Sequence, residues 1–248
     1  MAGLASVGTA GTTGDITAGT SVNVTTTAAI GDLVVVIVTK DNVGTTDSTT
    51  AGVFTTATDT AGNVWTKQAE ARHSSGIAGD GTEIGIFTSV LTATMTAATI
   101  TVNFAASTTA SAVTVWRFTC DSGSVVSVPA TPQLEENAAG GDTGALTISS
   151  LTSLEYLFIR AVASEKQIQS IATATASYTK FTGAVADTGS NPSSMNAMGE
   201  WRILTGTGDT SDPALTSTNP TNASLYLALR VAVVSLSNIS IIDTSVAA

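Results

Sequence analysis

Apolar and polar residues alternate along most of the chain in short runs, which is the pattern of half-buried β-strands. The clearest run is TITVNF at residues 99–104. Residues 33–38, LVVVIV, are apolar without interruption and predict a central strand that is covered on both faces. No helical stripe exceeds two turns. The pattern therefore predicts an all-β protein with a jelly-roll or immunoglobulin-like β-sandwich.

Short segments recur along the chain and indicate an internal repeat. The segment WTK at residues 65–67 corresponds to YTK at 178–180, and WRF at 116–118 corresponds to LRV at 229–231. Both pairs have the same spacing, and the order of apolar, aromatic and alternating segments is the same around each. We interpret the chain as two pseudo-repeated halves. A shared preference for Thr-rich strands in a low-complexity sequence is the alternative explanation.

The repeat divides the chain into four parts. Residues 1–125 and 145–234 are predicted to be the two β-sandwich repeats, joined by a linker at 126–144 that is rich in Pro, Gly and acidic residues. Residues 235–248 form a C-terminal tail strand that the repeat does not account for. Its apolar residues are predicted to pair with another chain or to add a strand to their own sheet. The interface residues predicted on this basis are Leu236, Ile239, Ile241, Ile242 and Val246.

Composition removes several classes of function. Charged residues make up only 11 % of the chain and the net charge is −10, so clustered cations for nucleic acid or an anionic membrane are not expected. The longest aliphatic run has six residues, too few for a membrane-spanning helix. Polarity comes mainly from 45 Thr and 27 Ser, as in proteins that face the exterior. The chain starts without a recognisable secretory signal.

A virion protein resolves this combination, because it is made in the host cytoplasm and reaches the exterior by assembly and lysis. The competing interpretation is a bacterial surface or adhesion protein exported by an unrecognised signal. The single Cys120 excludes an internal disulfide and is compatible with either compartment.

Three segments of the first half carry a resemblance to a known group of proteins. GDLVVV at residues 31–36, DTAGNVWT at 59–66 and AVTVWRF at 112–118 resemble the GDLLVV…DSAGNTYT pattern of β-sandwich proteins encoded by tailed phages and some bacteria. Residues 154–163 and 223–232 fit the weaker C-terminal pattern of the same group. The resemblance implies a structural role in a virion or on a surface. It implies no catalytic site.

Residues that could carry chemistry are few. His73 is the only histidine and is expected in an exposed loop, and Cys120 is expected to be a small buried residue at a strand end. Asp80 and Glu83 suit a hairpin turn, and the pair Glu135-Glu136 lies in the expected linker. We therefore predict no enzymatic activity and no catalytic residue.

Metal and sugar sites are also not predicted. The loop acids and amides show no calcium-loop spacing, so they are interpreted as solvated. The three tryptophans are expected in the core or at an interface rather than on a sugar-binding platform. No cofactor is expected. The loop residues considered for calcium are Asp41, Asn42, Asp47, Asp59 and Asp80, and the tryptophans are Trp65, Trp116 and Trp201.

The sequence thus favours a phage virion structural protein exposed on the particle exterior, most specifically a capsid decoration or cement protein. Its expected partners are the major capsid protein or other virion proteins and further copies of itself. Nucleic acid and membranes are not expected partners. The alternative is a tail-tip, fibre or bacterial-surface adhesion module that recognises host glycans or receptors.

Overall fold

The computed structural model describes residues 3–41, 52–74, 81–121, 123–137, 143–165, 168–190, 193–216 and 221–233. These residues form nineteen β-strands and no α-helix, which confirms the predicted all-β class. The first nine strands are β1 (Ala5–Asp15), β2 (Gly19–Ala28), β3 (Asp32–Lys40), β4 (Phe54–Asp59), β5 (Thr66–His73), β6 (Thr82–Val90), β7 (Met95–Thr108), β8 (Ser111–Thr119) and β9 (Ser124–Ser127). The others are β10 (Gln133–Asn137), β11 (Leu146–Ile148), β12 (Leu154–Glu165), β13 (Ile171–Thr173), β14 (Thr179–Lys180), β15 (Ala184–Ala186), β16 (Met195–Gly206), β17 (Asp209–Ser211), β18 (Ala214–Leu215) and β19 (Thr221–Val233).

The strands form four layers of antiparallel sheet. The first outer sheet has the order β2-β7-β4, and the first inner sheet has the order β1-β8-β3-β6-β5. The second inner sheet has the order β10-β19-β12-β16-β14, with β9 also paired to β19 and β15 to β16. Two short ribbons, β11-β17 and β13-β18, cover its far side, and we call them the outer ribbons.

The two inner sheets pack face to face and share one apolar core. Alternate residues of β3, namely Leu33, Val35 and Ile37, point into this inner core, where they join Leu157 and Ile159 of β12. Period-two alternation sends the other β3 residues to the opposite face. Both faces of β3 are buried, as the uninterrupted apolar run predicts. The inner core therefore joins the two halves into one packed body.

Aromatic side chains cross the inner core and strengthen this connection. Trp116 and Phe118 of the first half meet Phe181 and Trp201 of the second half in edge-to-face contacts. The ring centroids lie 5.2 Å apart in each of the two pairs, Trp116 with Phe181 and Phe118 with Trp201. Such pairs stabilise packing beyond the area that they bury.

The inner face of the first outer sheet packs against the other face of β3, and this first outer core is almost wholly apolar. Its centre is formed by Val34, Val36 and Val38, which pack with residues such as Phe54. The outer face of the same sheet presents short uncharged side chains, among them Asn23 and Thr101, which are hydrogen-bonded at 2.7 Å. Many of the chain's threonines therefore lie at exposed alternate positions of strands rather than in loops.

The two inner sheets follow the same topology. The strand orders are β1-β8-β3-β6-β5 and β10-β19-β12-β16-β14. When the five strands of each sheet are ranked by their position along the chain, both orders are first, fifth, second, fourth and third. Trp65 directly precedes β5 and Tyr178 directly precedes β14, and both of those strands lie at an edge next to β6 or β16. This correspondence agrees with a duplicated unit. Duplication itself stays a prediction.

Two parts of the segment 126–144, expected to be a linker, belong to strands of the second inner sheet: residues 126–127 to β9 and residues 133–137 to β10. Strand β10 lies within it and pairs with β19, with Leu134 opposite Leu225. Pro132, one of the residues that indicated a linker, directly precedes this short edge strand. The tail at 235–248 lies outside the described residues. Within the ranges that are described, no helix is long and apolar enough to span a membrane.

Candidate binding groove

A groove with a volume of about 440 Å³ opens at one end of the two inner sheets. We call it the end groove. Its wall is mixed, with aliphatic side chains, two carboxylates and one arginine. The lining residues are Gly3, Leu4, Cys120, Asp121, Ser124, Leu154, Glu155, Arg230, Val231, Ala232 and Val233.

Both halves of the chain build the end groove. Leu4 and Cys120 come from the first half, whereas Glu155 and Arg230 come from the second. The backbone N–H of Leu4 donates to Oε1 of Glu155 at 2.8 Å, and this bond fixes the start of the described chain against β12. The groove therefore exists only while the inner core holds the two halves together.

Cys120 lies at the junction between the groove wall and the turn before β3. Its Sγ donates to the carbonyl oxygen of Gly31 at 3.1 Å, and the side chain is half-buried. Burial raises the pKa of the Cys120 thiol above its ordinary value. The expectation of a small residue at a strand end agrees with this position, although Cys120 is less enclosed than expected.

The end of β19 forms one side of the groove. Residues 230–233 pair with β9 along one edge, from Arg230 opposite Ser127 to Val233 opposite Ser124. The pairing of β19 with β12 ends earlier, at Leu229 opposite Leu157. The second edge of residues 230–233 therefore borders the groove instead of another described strand. An edge of this kind can accept an additional extended segment.

A second, shallower groove of about 260 Å³ lies on the other side of β9. Its apolar lining includes Val64, which is 79 % exposed, and Val125, which is 49 % exposed. Val233 in the end groove is 40 % exposed. This end of the molecule thus presents several aliphatic side chains around a short, four-residue strand.

The segment DTAGNVWT builds a turn beside this end of the molecule. One Asp59 oxygen accepts the N–H of Ala61 at 2.7 Å, and the other accepts the indole N–H of Trp65 at 2.7 Å. These donors hold the pKa of Asp59 below its ordinary value, although partial burial opposes them. Gly62 has a positive φ of 83°, which explains the glycine in the segment. The residues that this segment shares with the phage β-sandwich pattern therefore serve to form a turn.

Asn63 and Asp32 hold neighbouring turns in place at the same end of the molecule through side-chain hydrogen bonds. The side-chain oxygen of Asn63 accepts the N–H groups of Thr92 at 2.9 Å and Ala93 at 2.8 Å. Asp32 accepts the N–H of Ala29 at 3.0 Å and pairs with Arg117 at 3.3 Å. These bonds orient the loops between strands and leave none of these groups aimed at a reaction centre.

The opposite end of the first inner sheet contains buried charges. Glu83 on β6 is fully buried, and burial together with the neighbouring Glu70 raises the pKa of Glu83 to about 9. Burial also lowers the pKa of Lys40 on β3. Lys67 binds Glu70 at 2.6 Å, and the bonds that Glu70 accepts hold its pKa below the ordinary value against the effect of burial.

Two expectations about this region are wrong. Glu83 is a strand residue inside the sheet rather than a turn acid, and His73 is the buried last residue of β5 rather than a residue of an exposed loop. Polar side chains interrupt the apolar–polar alternation around both residues, so the alternation did not predict that they lie in strands. Asp80, the proposed turn partner of Glu83, lies outside the described residues.

A second group of buried polar residues lies between the second inner sheet and the outer ribbons. The fully buried Arg160 donates to Glu135 at 3.0 Å, to Ser224 at 2.8 Å and to the carbonyl oxygen of Thr143. Burial lowers the pKa of Arg160, while the Glu135 carboxylate opposes that effect. Glu135, expected in the linker, therefore lies on β10, and its side chain stays 26 % exposed while it pairs with a buried cation.

Two tyrosines, Asp209 and Arg202 make three further contacts between the second inner sheet and the outer ribbons, a region that we call the second outer core. The hydroxyl groups of Tyr178 and Tyr226 are 2.6 Å apart, and Tyr178 also donates to Asp209 at 3.1 Å. Burial raises the pKa of both tyrosines. Arg202 donates to the same Asp209 oxygen at 3.0 Å. These groups satisfy one another in the interior, and no groove reported above reaches them.

The residues considered for calcium do not assemble a site among the described residues. Asp41 is fully buried rather than solvated, and it accepts the backbone N–H groups of Thr109 and Ala110, both at 3.0 Å. Both carboxylate oxygens of Asp59 accept hydrogen bonds within its turn. The other three residues, Asn42, Asp47 and Asp80, lie outside the described ranges. Within the ranges that the structure covers, no group of three or more His, Cys, Asp or Glu side chains could hold a metal ion.

Comparison with known proteins gives no match: no protein-family model, no curated protein and no solved structure is significantly similar to the chain. Interpretation therefore depends on the residues and their geometry. Sequence reasoning missed the end groove because its lining comes from four distant segments. The signal that could have found it is the location of Cys120 directly after β8 and of Arg230 near the end of β19, the corresponding strand of the second half.

Proposed function

We propose that the chain is a non-enzymatic structural protein of a tailed-phage virion, most specifically a capsid decoration protein that binds neighbouring subunits. The observation that carries the proposal is the end groove, a partly apolar surface beside an edge of β19. Strand addition at such an edge satisfies backbone groups and buries alternate side chains. The resemblance of the turn and strand segments to phage β-sandwich proteins supports the same role.

The distribution of charge and hydroxyl groups also supports a binding role. Glu83 and Tyr178, whose pKa values are raised by burial, lie in packed interiors. The outer surface of the first outer sheet is built from uncharged threonine and asparagine side chains, such as Thr58 and Asn103. A surface of this kind suits protein contacts that tolerate changes in salt concentration.

The adhesion alternative has no comparable observation in its favour. Trp116 and Trp201 pack together in the inner core with ring centroids 6.3 Å apart, and Trp65 is held by Asp59. An exposed aromatic platform for glycans is therefore not formed by these three residues. We retain the decoration role as the proposal.

Particle binding tests the proposal directly. Particles of the phage that encodes the chain are prepared without it, the purified chain is added back, and co-sedimentation and the temperature of DNA release are measured. We expect saturable binding and a higher release temperature. Val233→Asp in the end groove should weaken binding at least about tenfold, equivalent to about 1.4 kcal/mol. Thr58→Asp on the first outer sheet adds the same charge elsewhere and should bind like the unmodified chain.

Absence of co-sedimentation by the unmodified chain would reject the virion role. Equal losses of binding for Val233→Asp and Thr58→Asp would reject the end groove as the contact surface. Circular dichroism melting of both variants shows whether either change acts through unfolding instead.

A further inference from the structure

The segment that follows β19 has a composition suited to the end groove. Residues 234–242 read VSLSNISII and carry no charge, and their apolar positions include Leu236, Ile239 and Ile241. The groove offers Leu4, Leu154 and other aliphatic side chains beside an edge of β19. Burying each aliphatic side chain fully contributes about 1.5–3 kcal/mol before ordering costs.

The described part of β19 ends in the groove, since Val233 is the last described residue of the strand and part of the groove wall. Returning into its own groove would require the chain to reverse immediately after Val233. Residues 234–248 contain neither Gly nor Pro, the residues that most often reverse a chain. Continued extension into a neighbouring molecule needs no such reversal.

We infer that residues 234–242 of one copy occupy the end groove of a second copy, which returns its own segment in exchange. The result is a symmetric dimer with two identical contacts, the commonest arrangement of homo-oligomers. This inference rests on the proposed function, because both treat the end groove as a protein-binding surface. The inference adds that the partner in the groove is a second copy of the chain.

The lone native thiol allows a direct test, because Cys120 lines the end groove and is the only cysteine in the chain. The full chain with Ile241→Cys is oxidised at alkaline pH, as the raised pKa of Cys120 requires. The products are separated on a non-reducing gel and mapped by mass spectrometry. We expect a covalent dimer in which the introduced thiol is joined to Cys120 of the other copy. Disulfides form only when the two Cα atoms lie within about 7 Å.

Thr58→Cys, exposed on the first outer sheet, is the matched control and should give at least about tenfold less dimer. A bond within one chain would show that the segment fills its own groove, and it would overturn the inference. A yield of bonded product no higher than that of the control would overturn it as well.

Light scattering provides a second measurement that needs no oxidation. The unmodified chain should have twice the mass of the 24.8 kDa monomer. The double substitution Ile239→Asp and Ile241→Asp should give monomers, whereas Ser237→Asp with Ser240→Asp adds equal charge at polar positions and should leave the dimer intact. A monomeric unmodified chain, or dimers that survive the isoleucine changes, would contradict the inference. Particle binding by such a chain would leave the proposed function standing with a different partner.

Discussion

The two outer cores occupy corresponding places in the strand order, but one row of positions is filled by opposite kinds of side chain in the two halves. In the second outer core this row lies between two apolar clusters, which contain Phe158 and Val162. In the first half, Val38 of β3 lies between Gly85 of β6 and Val113 of β8. The surrounding first outer core is aliphatic and aromatic, and the ring of Phe54 covers Gly85. This row of three positions contains no polar side chain.

The corresponding row in the second half is polar throughout. When residues 30–36 are matched to 152–158, Arg160 takes the place of Val38, with Glu200 and Tyr226 opposite it on the two adjacent strands. Glu200 accepts the N–H of Thr175 at 2.8 Å and the hydroxyl of Ser211 at 2.7 Å. The row is buried, as its apolar counterpart is.

The difference shows that the same strand order can hold either an apolar or a polar row of buried side chains. The two rows should differ in how much a substitution lowers stability. An apolar core depends on volume and shape, so a substitution of similar size costs little. A buried polar network depends on every partner, because a single deletion leaves an uncompensated group in a low-dielectric interior. Four substitutions test this distinction, and the change expected to destabilise the protein most comes first.

Arg160→Met should have the largest effect. Methionine fills much of the arginine's volume but leaves Glu135 and the carbonyl groups around it without their donor. We expect a loss of about 3–5 kcal/mol in the free energy of unfolding, measured by urea titration. Arg230→Met, at an exposed arginine, is the control and should change stability by no more than about 0.5 kcal/mol. Equal losses for both variants would show that the buried cation has no special role.

Gly85→Ala tests the apolar row through its shape. A methyl group at this position would lie 2.7 Å from the ring of Phe54, so we expect overpacking to cost about 1–3 kcal/mol. Gly19→Ala is the matched control, since the nearest atom to its methyl group would be 3.7 Å away. Thermal melting compares the two. If Gly85→Ala melts at the unmodified temperature, the first outer core is less tightly packed than described.

Tyr178→Phe should cost less, about 1–2 kcal/mol, because it removes one hydroxyl from the contacts with Tyr226 and Asp209. Tyr226→Phe and the double substitution complete a double-mutant cycle. In a mutually dependent network the double variant should lose less than the sum of the two single losses. Strictly additive losses would contradict the coupling between the two hydroxyl groups.

Glu83→Gln should have the smallest effect of the four when stability is measured near pH 4.5, and it should change the pH dependence of stability. The folded-state pKa of Glu83, about 9, exceeds the ordinary value of 4.5, so folding favours its protonated form. Its stabilising contribution is therefore complete below about pH 4.5 and is lost as the pH rises toward 9. Melting temperatures between pH 5 and 9 should fall less steeply for Glu83→Gln than for the unmodified chain. Parallel curves would contradict the raised pKa.

The alternation of apolar and polar residues predicted the all-β class, and the uninterrupted apolar run predicted the central strand. Residues 33–38 are apolar on both faces because β3 lies between the inner core and the first outer core. The segment at 59–66 was recognisable because Asp59 and Gly62 are needed for a particular turn. Local chemistry of this kind is readable from sequence.

Long-range partnerships were not readable in the same way. Glu135 belongs to a sheet because Arg160, a distant residue on β12, needs a counter-charge, and its neighbours Pro132 and Gly140 indicated a linker instead. His73 and Glu83 are buried although their types favour exposure. The end groove combines Leu4 with Glu155 and Arg230, and only packing of the two inner sheets brings these segments together.

The two halves form one body through the inner core, and the end groove exists only in that arrangement. Differential scanning calorimetry of the full chain and of Arg160→Met tests it most directly. We predict a single transition for both proteins, with equal calorimetric and van't Hoff enthalpies, that shifts as a whole to lower temperature in the variant. Two transitions, of which only one moves in Arg160→Met, would show that the halves unfold separately and would contradict the account.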